Sequence, residues 1–485
     1  MKLRNITIMI VACLGLIGPV QATGAKSSLG AGLSIQEIYP DQGLVEDIST
    51  FITAQMQASK VPGLSIALTQ EGKILWVEGF GVTNSLSGNP VTGDTIFEAA
   101  SISKAITAYA ALRLVEKGVL SLDEPVHHYL SQPWLPPSAY AEQITLRHLL
   151  THTSGLTNNV NPVNKSILFP PGERYQYSGV GFIYLQQVME QVTGKSLEQI
   201  AKELVFDPLE MDSSSYVTPK NMMPRLAYGH INYGLIILLL APVLAVVFTL
   251  ILIVWLLIQR IRLGKFRVSG KMLWISYVIA ASIVLAFIIY FVGSGVNKWV
   301  TLSALWLILF GVGMALLIFA GRKLIARLPG KWQRPEIRVP VLLLWYFICA
   351  LALLMLTNAL SGPVPRSPAG SPTAAYSLRT TAPDLAKFLL ELTSPQHLDP
   401  ALMVEMTSPQ VQSGENESWG LGIGIQHNSQ GNVIFHSGNN PDFHALMVID
   451  QELRNGVVIM TNGENGVPLV DEIVKYALDK ISGQG

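Results

Sequence analysis

Four runs without a single charged residue, Leu235–Ile258, Met272–Gly295, Trp299–Ala320 and Val339–Ser361, interrupt this chain from near its middle onward. Each exceeds the ~20 residues that a helix needs to cross ~30 Å of hydrocarbon, and buried core helices that long and that apolar are rare. The pattern predicts four transmembrane α-helices. They account for a chain in which only 14% of 485 residues are charged and mean hydropathy reaches +0.38.

The connecting loops set a direction. The first carries Arg260, Arg262, Lys265, Arg267 and Lys271, and the third carries Arg322, Lys323, Arg327, Lys331, Arg334 and Arg338, whereas the middle loop has only Lys298. The positive-inside bias makes the first and third loops cytoplasmic, which leaves Ile231 and Gly362 both outside. The N-terminus agrees independently. Lys2 and Arg4, an apolar run from Ile6 to Val20 and a small-residue site at Val20-Gln21-Ala22 read as a secretory signal over residues 1–22. An uncleaved anchor is the alternative, and either one exports the residues beyond it. The expected organisation is therefore a signal peptide (1–22), an exported part (23–231), a four-helix membrane insertion (232–361) and a second exported part (362–485). That organisation implies a multi-pass protein of the cell membrane, with the lipid bilayer as its partner and its soluble part on the extracytoplasmic side.

Formal charge is zero with no basic tail, which argues against nucleic acid as a partner. Cys13 and Cys349 both fall in apolar stretches, so no disulfide framework or thiolate metal site is available. Of nine histidines only His148 and His152 have helical ligand spacing, and they lack a neighbouring glutamate or a third ligand. No metal and no cofactor is implied.

In the exported parts, Leu44, Ile48, Phe51, Ile52 and Met56 fit one face of a helix over Gly43–Lys60. Gly63–Gln70 and Lys73–Gly81 are β-rich runs joined by Glu71-Gly72, a hairpin signal. A helix from Leu146 closed by Gly155, a turn at Pro170–Glu173 and a helix carrying Phe182, Leu185, Val188 and Met189 come next. Beyond the insertion lie a Pro-rich segment (Gly362–Pro372), a helix over Ala382–Leu392, strands at Asn432–His436, His444–Ile449 and Gly456–Thr461, and a helix using Leu469, Ile473, Ala477 and Ile481. The order suggests one sheet whose first strands pair with its last, with the membrane segment inserted in a surface loop.

Ser101 and Lys104 stand three residues apart ahead of the helix-like run Ala105–Lys117, which puts an amine beside a hydroxyl. A serine hydroxyl is a weak nucleophile until something takes its proton, and a partly desolvated lysine can do so. Ser-x-x-Lys arises by chance about once or twice in a chain of this composition, so it needs company. Tyr177-Ser178-Gly179 and His436-Ser437-Gly438, followed by Asn439, supply it.

In this order and context the three pieces resemble the serine-active penicillin-recognising superfamily, especially the class C β-lactamase-like hydrolases, D-amino peptidases and esterases. Leu149–Leu156, Pro171-Gly172-Glu173, Val192–Lys195, Pro208–Met211 and Trp419–Gly422 also look familial. The resemblance covers roughly residues 40–230 and 370–480. It implies an α/β β-lactamase/transpeptidase-like fold, an antiparallel sheet flanked by helices plus a helical subdomain. It also implies that Ser101 is the acylated nucleophile, Lys104 its proton partner and Tyr177 a second base whose phenol is acidified by Lys104. His436, Ser437 and Gly438 would line the substrate edge, and the backbone N–H groups of Ser101 and Asn439 would form the oxyanion hole.

Two departures narrow the expectation. The family commonly has asparagine where this chain has Gly179, and lysine where it has His436. A histidine attracts a substrate carboxylate less than a lysine does and would do so in a pH-dependent way, so esterase or D-amino peptidase activity is favoured over efficient β-lactam hydrolysis. A non-enzymatic sensor that signals through the helices is the competing reading. A transporter or structural membrane protein with a relict hydrolase domain is a third reading, and the absence of charge from the four runs argues against transport.

Overall fold

A glutamate-glycine pair fixes the first corner of the sheet. In the computed structural model, which describes residues 41–160, 163–231, 364–366, 371–428 and 431–483, Glu71 and Gly72 both take positive φ, as a tight turn between twisted strands requires. The turn joins β1 (Gly63–Gln70) to β2 (Lys73–Gly81), after α1 (Gln42–Ser59), which Asp41 caps. Next in the chain are β3 (Phe97–Ala100), α2 (Ser103–Glu116), α3 (Leu146–Leu150), α4 (Gly179–Thr193), α5 (Leu197–Ala201) and β4 (Gly229–Ile231). After the apolar segment come β5 (Val364–Arg366), β6 (Leu378–Thr380), α6 (Ala382–Thr393), α7 (Pro400–Met406), β7 (Val411–Gly414), β8 (Glu417–Trp419), β9 (Gly424–Asn428), β10 (Gly431–Asn440), β11 (Phe443–Asp450), β12 (Gly456–Thr461) and α8 (Gly466–Ile481).

Eight strands form one antiparallel sheet in the order β2-β1-β12-β11-β10-β9-β8-β7. Residues from both sides of the apolar segment thus share one sheet, and β1 pairs with β12, Leu64 opposite Thr461. Leu64, Ile66 and Leu68 face α1 and α8 through Ile48, Ile52, Leu469 and Ile473. Alternate residues such as Ala67, Met447 and Val458 face α6 and the larger core built on α2, α4 and α5. Burial on both faces explains why β12 reads as a nearly continuous apolar run and why even Ser65 and Thr69 of β1 are enclosed.

β4 and β5 pair antiparallel, Ile231 opposite Val364, so the chain leaves and rejoins the described fold at one place. The four apolar runs and the secretory signal expected at residues 1–22 lie outside the described residues. Among the described residues no helix is long and apolar enough to cross a membrane.

Two local expectations are corrected. The helix from Leu146 ends at Leu150, and His152, with φ of 57°, closes it in place of Gly155. The N–H of Thr153 reaches back to the carbonyl of His148, a bond that requires a left-handed residue between them. The strand expected to end at His436 continues to Asn440, because β11 pairs with it as far as Phe443.

Candidate active site

β3 ends at Ala100 with φ of 46°, a conformation a residue with a side chain adopts at a cost, and the chain turns sharply into α2. Ser101 sits on that turn. Lys104, in the first turn of α2, is 2% exposed, and its Nζ donates to Ser101 Oγ at 3.1 Å and to the carbonyl of Ala375 at 2.6 Å. Among the described residues no carboxylate hydrogen-bonds Lys104, and burial pulls its pKa down to about 7.

Ser178 caps α4 by accepting from Gly181 N–H, and this places Tyr177 just ahead of the helix. Lys104 Nζ lies over the Tyr177 ring, 4.9 Å from its centroid. Burial pushes the phenol up to about 12, with a hydrogen bond from Ser101 opposing the shift. This corrects the expected acidification: the amine meets the ring face, and desolvation dominates.

Tyr177 rests on His152, ring centroids 4.3 Å apart, and His152 also packs against Phe182 and Trp419. His152 Nδ1 accepts from Ser178 N–H at 3.1 Å, so the neutral ring carries its proton on Nε2. Trp419 continues the cluster to His436 at 5.5 Å. His436 is 1% exposed and donates from Nδ1 to the carbonyl of Ser437 at 2.8 Å. Burial, then the charge of Lys104, lower its pKa to about 3, so it is neutral throughout the physiological range and cannot supply the expected pH-dependent attraction for carboxylates. Nε2 of His152, Nε1 of Trp419 and Nε2 of His436 are buried without a hydrogen-bond partner among the described residues.

β9 pairs with β10 only as far as Phe435, so among the described residues His436–Asn440 has no strand partner on that side. Along this edge His436 and Gly438 are buried while Ser437 and Asn439 are exposed. Gly438 allows close approach to β3: a Cβ here would lie 2.1 Å from the carbonyl oxygen of Ala99. The structure therefore gathers Ser101, Lys104 and Tyr177 at one point and lays His436–Asn439 beside β3, which leads into Ser101. His152, Trp419 and Ala375 were not singled out for the site, although the first two lie in stretches that look familial.

A family model described as Beta-lactamase matches residues 48–239 and 354–479. The chain belongs to the beta-lactamase family. Among its relatives, Penicillin-binding protein 4* of Bacillus subtilis is 29% identical over 192 residues, covering 34% of this chain and 41% of that protein. Esterase EstB of Burkholderia gladioli is 30% identical over 194 residues, 34% of this chain and 49% of the esterase. Each match thus spans less than half of the relative. The octameric penicillin-binding protein homologue from Pyrococcus abyssi superposes with a TM-score of 0.59 at 20% identity, covering 91% of this chain and 78% of that one. This beta-lactamase family member therefore has the family's α/β fold, an antiparallel sheet between helical layers.

Proposed function

We propose that this chain is a membrane-bound serine hydrolase that works through an acyl-enzyme on Ser101. The observation that carries the reading is the buried Lys104 amine 3.1 Å from Ser101 Oγ. With a pKa of about 7, roughly half of the lysine is neutral at neutral pH, and the neutral amine accepts the Ser101 proton as Oγ attacks a substrate carbonyl. The backbone N–H groups of Ser101 and Asn439 stabilise the oxyanion. Tyr177, a phenol at neutral pH, donates its proton to the leaving group and is restored by the Lys104 ammonium. Water then releases the acyl group.

Substrates are small esters or D-amino peptides, with β-lactams as poor substrates or acylating ligands. Similarity to a penicillin-binding protein and to an esterase supports this range. A neutral His436 offers a substrate carboxylate no cation, which favours esters and uncharged amides. The four apolar runs anchor the catalytic part on the extracytoplasmic face of the cell membrane, and the pairing of β4 with β5 supports an insertion that returns to the side it left.

The test is the intact mass of the detergent-purified protein after incubation with benzylpenicillin, beside a Ser101→Ala control. A Ser101-dependent adduct or hydrolysed penicillin supports the acyl-enzyme. A stable adduct in a protein that turns over no ester or D-amino peptide would favour a penicillin-recognising sensor, and neither an adduct nor turnover of any of these would refute the hydrolase.

A further inference from the structure

β3 and β10 bring the two halves of the oxyanion site together without pairing as strands. β3 pairs with β6, and β10 pairs with β11 and β9. No ladder between them sets the distance from Ser101 to Asn439. The contact of Gly438 with Ala99 limits how close they come, but a steric limit does not prevent separation.

A side-chain bridge does. Glu98 on β3, three residues before Ser101, accepts from Asn440 Nδ2 at 2.9 Å through one carboxylate oxygen. Through the other it accepts from Arg379 Nη2 on β6 at 3.0 Å. Arg379 in turn donates from Nη1 to Thr218 Oγ1 at 2.7 Å, and its backbone exchanges hydrogen bonds with Ser215. The Glu98 and Arg379 side chains are 15% and 5% exposed, so the pair is shielded from the screening that makes surface ion pairs weak. The anchor is braced from behind, and its free end grips the residue next to Asn439.

We propose that Glu98 is a positioning residue that fixes the gap between the N–H groups of Ser101 and Asn439. The inference rests on the reading of Ser101 as the acylated nucleophile. Both donors must reach one developing oxyanion, and a misplacement of about 1 Å costs on the order of a hundredfold in rate. Tightening this gap acts in the transition state more than in substrate binding, so the effect falls on kcat.

The test compares Asn440→Ala, Glu98→Ala and Glu98→Gln in the full chain in detergent, on a simple aryl ester. Asn440→Ala removes the grip and leaves the Glu98–Arg379 pair intact, which keeps the test valid if Glu98→Ala folds poorly. Glu98→Gln retains an acceptor for Arg379 and a donor for the Asn440 carboxamide once that amide turns over. Asn440→Ala and Glu98→Ala should each lower kcat about tenfold or more with KM changed by less than about twofold, and Glu98→Gln should recover most of the loss. Affinity for an arylboronic acid, which forms a tetrahedral adduct on a serine, should fall in parallel with kcat. Unchanged kcat per folded molecule and unchanged boronate affinity, even with a lower melting temperature, would reduce Glu98 to a structural role and overturn the proposal. A wild-type protein that binds no boronate, forms no penicillin adduct and turns over no ester, penicillin or D-amino peptide would instead overturn the hydrolase reading beneath it.

Discussion

Lys104 holds its amine 3.1 Å from the Ser101 hydroxyl in a place where 2% of the lysine meets solvent. Burial alone lowers its pKa to about 7, so the fraction able to accept a proton rises steeply through neutrality. Acylation should therefore increase with pH below about 7 and level off above it. Lys104→Met should lose on the order of a hundred- to ten-thousandfold in acylation rate and lose the profile with it. Pre-steady-state acylation by an aryl ester between pH 5 and 9 checks both. A flat wild-type profile would remove Lys104 as the base.

His436 should make the protein acid-sensitive. Its folded pKa of about 3 lies below its ordinary value of 6.5, so between these values the unfolded chain binds a proton that the folded chain does not. Its stabilising contribution is complete above pH 6.5 and is lost as pH falls towards 3, by about 1.4 kcal/mol per pH unit for one fully linked group. His152, buried and shifted the same way, steepens the loss. Urea midpoints measured from pH 7 to pH 4 should fall, and less steeply in His436→Asn. Selectivity for carboxylate-bearing over neutral esters should stay constant from pH 5 to 8.

Gly438→Ala should act on rate as well as stability. Its Cβ would lie 2.1 Å from a backbone carbonyl, that of Ala99, which cannot rotate away. β10 must shift from β3, at a cost of about 1–3 kcal/mol, and the gap at the proposed oxyanion site opens. The expected result is a lowered melting temperature together with a fall in kcat of about a hundredfold at unchanged KM. A loss of stability with kcat preserved would show that the strand edge plays no part in the chemistry.

Much of this arrangement was legible where a residue type carries its own geometry. Glu71-Gly72 announced the hairpin, Ser101 and Lys104 announced a hydroxyl beside an amine, and the β-rich runs of β1, β11 and β12 announced strands. What stayed hidden depends on backbone. The carbonyl that holds Lys104 belongs to Ala375, 271 residues away, and an alanine advertises no such role. Ala100 and His152 take positive φ, where the usual glycine signal is missing. The strands β3 and β6–β8 have three or four residues each, too few to display a period of two. The resemblance implies an acidified Tyr177, whereas its phenol is raised beside Lys104, because sequence shows neighbours and not desolvation.

Gly179→Asn, which would restore the residue common in the family, should harm this protein. A Cβ at Gly179 would meet Val160 Cγ1 at 2.7 Å and Asn158 Oδ1 at 3.0 Å, the oxygen that accepts the Gly179 N–H at 2.8 Å. The loop around Asn158 has taken the space that a side chain would need. Destabilisation of about 1–3 kcal/mol is expected, relieved when Val160 is also shortened to alanine. Denaturant titration of the single and double variants decides the matter, and a stable single variant would show that the loop yields freely.

The proposed membrane topology makes its own demand on labelling. β4 and β5 pair Ile231 with Val364, so the described chain breaks off and resumes at one place, and an even number of crossings between them is the arrangement that fits. With both ends outside, Lys298 in the middle loop is extracytoplasmic, while Arg262 and Lys331 in the basic loops face the cytoplasm. In a background with Cys13 and Cys349 replaced, a cysteine at 298 should react with a membrane-impermeant maleimide on intact cells. Cysteines at 262 or 331 should react only after permeabilisation. The reverse pattern would place the Ser101 site on the cytoplasmic side, and labelling of all three positions on intact cells would remove the crossings altogether.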